Sequence, residues 1–166
     1  MTTITLKGNE IHLNGTLPQV GTKAPTFKGV KSDLSELSLE ELKGKRVVLN
    51  IFPSLDTAVC AASVRKFNVA AASLPNTEVL AISKDLPFAQ GRFCTTEGID
   101  KVTPLSMFRC SCFEDAYGVL MTNGPLKGLL ARCVIIIDEE GTIIYTELVP
   151  EITSEPNYKA ALAVLQ

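Results

Sequence analysis

Apolar and polar positions along the chain change period several times, and each change marks an element. ITLKG and EIHLNG, flanking Asn9 with Gly8 before it, alternate and predict a short N-terminal β-hairpin. KAPTFKGV reads as loosely extended, and Ser38-Leu39-Glu40-Glu41 is a capping-box pattern opening a short helical turn that Gly44 closes. RVVLNIF is a β-branched apolar run suited to a strand buried on both faces. After Cys60 the period lengthens: Val64, Phe67, Ala71 and Leu74 fall on one helical face, and Pro75-Asn76 ends it.

EVLAIS predicts the next buried strand, and Asp85 with Pro87 predicts a helix start leading into FAQGRFCTTEG. Residues 103–130 carry no clear period and read as irregular, with GVLMTNGPLKG a loop. CVIIID and TIIYTEL, joined by Glu139-Glu140-Gly141, predict a second hairpin. Ser154 and Pro156 predict the start of a last helix presenting Tyr158, Ala161 or Leu162, and Leu165. A βαβ unit followed by a ββα unit implies an α/β thioredoxin-like fold, with a central mixed sheet flanked by helices and an N-terminal β-hairpin extension. A fold alone names no function.

Composition narrows the field. The length, 166 residues, fits one domain spanning 1–166. A net charge of −2 disfavours an electrostatic role on nucleic acid or on an anionic membrane. No apolar run is long enough to span a bilayer, and the first fifteen residues lack the basic start and apolar centre of a signal peptide, so a cytoplasmic address is expected. The five cysteines, Cys60, Cys94, Cys110, Cys112 and Cys133, form an odd, widely spaced set. That pattern does not suggest a structural disulfide framework, and buried free thiols are the simplest account of most of them. With His12 the single histidine, neither a metal site nor a cofactor is expected.

Cys60 stands apart because it falls where an apolar strand gives way to a helix. The helix dipole and unpaired N–H groups of a first turn favour thiolate, the nucleophilic form. The polar turn Pro53, Ser54, Asp56 and Thr57 should expose that helix start. Thr57, three residues earlier, is placed to stabilise a thiolate, to donate to a bound oxygen substrate, or simply to cap the helix. Pro53 shields the thiol or merely fixes the turn. Activation also calls for a positive charge. Arg132 opens the strand in LLARCVIIID and must face either solvent, the commoner outcome, or a site.

PSLDTAVC, from Pro53 to Cys60, matches the P-x-x-x-T-x-x-C motif of peroxiredoxins. Together with VLNIFPSLDTAVCAASVRKFN, SKDLPFAQGRFC and GPLKGLLAR, it resembles the bacterial thiol peroxidase family, atypical two-cysteine peroxiredoxins, over nearly the whole chain. The resemblance implies a thiol-dependent peroxidase acting on organic hydroperoxides and hydrogen peroxide. Cys60 would be the peroxidatic cysteine, Cys94 the resolving one, and Pro53, Thr57 and Arg132 the peroxide pocket. It further implies an intramolecular Cys60–Cys94 disulfide, thioredoxin as reductant, a homodimer, and no cofactor. The sequence departs from the family pattern at Ala58, where glycine is frequent, and in MFRCSCF, where Cys110 and Cys112 are unexpected. With Cys133 they remain alternative resolving thiols.

In the implied cycle the Cys60 thiolate attacks a peroxide oxygen, becomes a sulfenic acid, and condenses with Cys94. Both cysteines belong to predicted helices, so unwinding at one or both helix starts is expected before they bond. A thioredoxin-type disulfide oxidoreductase shares the fold but carries CxxC or CxxS where this chain has TxxC. A redox-sensing binding module is a second alternative, and a structural protein with incidental thiols a third.

Overall fold

The structure is a computed structural model and describes residues 2–166. The chain begins with a separate two-stranded sheet, β1 (Thr3–Leu6) against β2 (Asn9–His12), antiparallel with Ile4 opposite Ile11. Then follow β3 (Lys28–Val30), β4 (Glu36–Ser38) and a 3-10 turn (Leu39–Leu42). In that turn the Glu41 carboxylate accepts from the Ser38 N–H at 2.8 Å, as the capping-box pattern implies. Next come β5 (Arg46–Ile51), α1 (Ala58–Ala71), β6 (Thr77–Ser83), α2 (Pro87–Glu97), β7 (Val102–Ser106) and α3 (Cys112–Tyr117). β8 (Cys133–Ile137), β9 (Ile143–Leu148) and α4 (Tyr158–Ala163) complete the order.

Among the described residues the main sheet has seven strands in the order β4-β3-β7-β6-β5-β8-β9. β5, β6 and β7 run parallel, while β3, β4, β8 and β9 are joined antiparallel, so the sheet is mixed. Alternation along the buried strands splits the core in two. Val48, Val79, Ala81, Val134 and Ile136 face α1 and α4. Leu49, Ile51, Leu80, Ile82, Ile135 and Cys133 face the other way, toward Phe27, Phe113 and Tyr117. A third cluster, with Ile4, Ile11, Met121 and Ile152, seats the N-terminal hairpin. This is the thioredoxin-like α/β arrangement with a hairpin extension.

Three features differ from the sequence reading. The section expected to be irregular contains a parallel strand, β7, and a short helix, α3. Pro104 hides the strand, since proline has no N–H for a ladder. Its neighbour β3 bridges β7 only at Val30–Ser106, so beside Pro104 the sheet behaves as an edge, where proline is tolerated. The stretch that includes KAPTFKGV supplies β3, whose three residues are too few to show a period. Finally, α4 is capped by Asn157, whose side chain accepts from the Ala160 N–H at 3.0 Å, and not at Ser154.

Candidate active site

Cys60 is the third residue of α1, and the first backbone bond into the helix runs from the Ala61 N–H to the Thr57 carbonyl. The N–H groups of Ala58, Val59 and Cys60 therefore precede the helical ladder and are the free donors of a helix start. The polar turn does not expose the thiol as expected: Cys60 is fully buried, and Thr57, Asp56 and Ala58 form the exposed rim. A short buried relay fixes this first turn to the sheet. Asn50, on β5, donates to the Ser63 hydroxyl at 3.1 Å, and that hydroxyl donates to the Cys60 carbonyl at 2.8 Å.

Arg132 is where the structure departs furthest from the residue-by-residue reading, which favoured solvent. Only 3% of it is exposed. Its Nη1 donates to Cys60 Sγ at 3.3 Å and its Nε to the Ile152 carbonyl at 3.0 Å. The Ile152 carbonyl holds the guanidinium by one edge and leaves another for the sulfur, a division of labour that the planar fork of arginine permits and a lysine ammonium does not. A cationic donor at this distance is the partner that a thiolate takes.

Thr57 occupies the N-cap position without capping through its side chain. Its hydroxyl donates to the Ser54 carbonyl at 3.0 Å. With its proton committed there, the oxygen keeps its lone pairs free for an incoming donor. Pro53 is buried, and with Thr57 and Arg132 it lines a cleft of about 560 Å³. The opposite wall comes from the N-terminal hairpin and from two loops, through Leu6, Ile11, Pro125, Leu126 and Ile152. The 122–126 loop is clamped to β2: Asn123 Oδ1 accepts from the His12 N–H, and its amide donates to the Glu10 carbonyl at 3.1 Å. Gly124 sits at φ +78°, a left-handed backbone conformation that glycine adopts without strain.

The other cysteines divide clearly. Cys94 is a half-buried free thiol in α2. It lies in the C-terminal part of that helix and not at its start, and its carbonyl accepts the capping N–H of Gly98 and the Ile99 N–H. Burial pushes its thiol upward in pKa. It opens on a second groove, of about 590 Å³, between α2 and the β3–β4 turn, lined in part by Ser32, Phe88 and Pro104. Cys133 is fully buried in the half-core on the opposite face of the sheet from Cys60, and burial drives its thiol far above the ordinary range. Cys110 and Cys112, expected as free buried thiols, are joined in a disulfide at the surface.

Asp85 has a part that local sequence does not reveal. It reads as a helix-start residue, yet the N-cap of α2 is Leu86. The Asp85 carboxylate instead accepts from Ser54 Oγ at 2.7 Å, from the Leu55 N–H at 2.8 Å and from Ser83 Oγ at 2.7 Å. It thereby ties the turn that carries Thr57 and Cys60 to the approach of the helix that carries Cys94. Glu151 has a similar role on the other side. It accepts from the Gly8 N–H and from the Thr153 N–H, both at 3.0 Å, and so fastens the hairpin next to Ile152.

A seven-stranded mixed sheet with one buried thiol at a strand-to-helix junction, under an arginine, defines a thioredoxin-like redox protein. The redoxin family model matches residues 19–162, and the chain belongs to that family. It is 58% identical over 159 residues to the thiol peroxidase of Corynebacterium glutamicum, covering 96% of each chain. It is 55% identical over 165 residues to the thiol peroxidase of Mycobacterium bovis, covering 99% of each. The fold superposes with a TM-score of 0.94 on the crystal structure of a peroxiredoxin-like protein from Aquifex aeolicus, 45% identical, over 99% of this chain and 96% of that one.

Proposed function

We propose that the chain is a thiol peroxidase in which Cys60 attacks the peroxide and Cys94 resolves the product. The observation that carries this reading is the guanidinium of Arg132, a residue lining the cleft, donating to the buried Cys60 sulfur. The Cys60 thiolate displaces water or an alcohol from the O–O bond and becomes a sulfenic acid. The oxygen that leaves gathers negative charge, and Arg132 with the free N–H groups of the first helical turn stands ready to hold it. Thr57 accepts from the hydroperoxide O–H and orients it. The largely apolar far wall, from Leu6 to Ile152, suits an organic hydroperoxide, with hydrogen peroxide a smaller fit to the same cleft.

Cys94 then condenses with the sulfenic acid, releasing water and forming the Cys60–Cys94 disulfide. Cys133 lies on the wrong face of the sheet, and Cys110 and Cys112 are committed to each other, which supports Cys94 as the partner. The helix segment that must open is the C-terminal part of α2 and not its start. Recycling by a thioredoxin-type dithiol, a homodimeric assembly and a cytoplasmic site of action complete the reading. Among the described residues no helix is long and apolar enough to cross a membrane. The test is a peroxide assay coupled to thioredoxin and its reductase. Cys60→Ser should abolish peroxide consumption, and Cys94→Ser should allow one round and then stall. Normal turnover in Cys94→Ser would overturn the resolving assignment, and activity in Cys60→Ser would overturn the whole reading.

A further inference from the structure

Three of the five cysteines take no part in this cycle, and one of them, Cys133, is a fully buried thiol. Cys110, in the loop after β7, is bonded across one residue, Ser111, to Cys112, the first residue of α3. Cys112 and Ser111 are exposed, as are Phe108 and Arg109 just before them, and Cys110 is half-buried. β7 runs parallel to β6 and β6 to β5, so this loop leaves the sheet at the same end as the turn that carries Cys60. The two loops are linked through Asp85, whose carbonyl accepts from the Ser106 hydroxyl and whose carboxylate holds Ser54.

A structural staple explains this bond poorly. Cross-links restrain an unfolded chain least when the loop they close is short, and this one joins residues that are already neighbours. It fastens no second element. The other three cysteines are free thiols. In a reducing compartment, which the preceding reading assigns, a disulfide that does form is generally a catalytic or redox-sensing one.

We propose that Cys110 and Cys112 are a second redox centre, a dithiol–disulfide exchange site for dithiol proteins that works independently of Cys60. Cys112 is the more exposed residue of the pair and the point of attack. An incoming thiolate bonds to Cys112 Sγ, the Cys110–Cys112 bond breaks, and Cys110 leaves as a thiolate. The Cys112 N–H, 3.3 Å from Cys110 Sγ, is in place to receive that charge. The second thiol of the reductant then attacks its own sulfur in the mixed disulfide, freeing Cys112 and closing the reductant's disulfide. Two electrons pass to the pair, and the reductant's two protons end on Cys110 and Cys112. In reverse, the reduced pair delivers two electrons to a disulfide.

The test uses the full chain with Cys60→Ser and Cys94→Ser, so that failure of the peroxidase reading leaves the outcome untouched. The protein is equilibrated in mixtures of reduced and oxidised glutathione, alkylated, and mapped at Cys110 and Cys112 by mass spectrometry while circular dichroism follows the fold. The pair is expected to pass from oxidised to reduced with the native spectrum unchanged. Thioredoxin with its second active-site cysteine replaced by serine is expected to be captured as a mixed disulfide at Cys112, and capture should be lost in Cys110→Ser and in Cys112→Ser. Three results would overturn the proposal. One is a pair that stays oxidised in excess dithiothreitol until the chain unfolds. Another is free alkylation of both thiols in oxidised native protein. The third is no capture of thioredoxin at Cys112.

Discussion

Replacing Arg132 separates charge from geometry at the sulfur. The guanidinium makes two bonds at once, to Cys60 Sγ at 3.3 Å and to the Ile152 carbonyl at 3.0 Å. Arg132→Lys keeps the charge but cannot span both acceptors with the same planar fork. Arg132→Met keeps the length and removes charge and donors together. A hydrogen bond to a charged group contributes about 1.5–3 kcal/mol, and about 1.4 kcal/mol is tenfold in rate, so the methionine variant should lose about ten- to a hundredfold in kcat/KM. The lysine variant should fall between it and the unmodified protein. Single-turnover peroxide reduction by prereduced protein measures the step directly, with no contribution from thioredoxin. Thermal melts of each variant distinguish a lost contact from a lost fold. If folded Arg132→Met reacts within about twofold of the unmodified protein, the guanidinium does not stabilise the transition state and the proposed chemistry fails.

Asp85→Asn puts an amide nitrogen among three donors and should lower Tm by about 3–10 °C, read by calorimetry; an unchanged Tm would show that the three bonds are not a clamp. The Glu151 carboxyl is held down to about 2, from 4.5, chiefly by the Thr153 N–H and then the Gly8 N–H. Its contribution to hairpin docking is therefore complete above pH 4.5 and disappears as pH falls through 2. Hydrogen exchange at Ile4 and Ile11 should show that loss in the unmodified protein and a flat profile over the same window in Glu151→Gln. In the reduced protein, exchange should be faster at residues 92–97 of α2 than at residues 64–67 of α1, and the opposite order would place the opening on the Cys60 side.

The elements that the sequence makes legible are those whose burial is repeated along the chain. β5, β6 and β8 show as apolar runs, and α1 shows as Val64, Phe67 and Ala71 on one face. β3, β4 and α3 are too short to establish a period, and Pro104 disguises β7. The same division holds at the site. The placement of Cys60 follows from local order, because a strand-to-helix junction is visible in consecutive residues. Arg132 does not, because the strand end permits two directions and the choice between them depends on a carbonyl 20 residues later, at Ile152. Asp85 is the harder case: its partners Ser54 and Leu55 lie about 30 residues upstream, while its neighbour Pro87 supplies a sufficient local reason for an acidic residue. The bond between Cys110 and Cys112 is not legible either, because an odd, widely spaced set of cysteines reads as free thiols and nothing local shows that their turn faces solvent.

The two halves of the site differ in how firmly they are held, and that difference orders the proposed reaction. α1 buries Cys60, Ala61, Ser63, Val64 and Phe67, and its first turn is tied to β5 through Ser63 and Asn50. α2 buries only Pro87 and Gln90, both before Cys94. Opening α1 would break the Arg132 contact and expose a half-core, whereas opening the C-terminal part of α2 breaks backbone bonds, including the two caps on the Cys94 carbonyl, with the Arg65–Glu97 ion pair and the packing of the partly buried Phe93. The attack on peroxide needs fixed donors around Cys60, since preorganisation is what makes them effective. The resolving step needs the opposite, a thiol that can travel. Thr57 at the position where a thioredoxin-type protein carries the first cysteine of its CxxC removes the nearby thiol that would close a disulfide within the rigid half. The partner must then come from a segment loose enough to move, and the last turns of α2 are that segment.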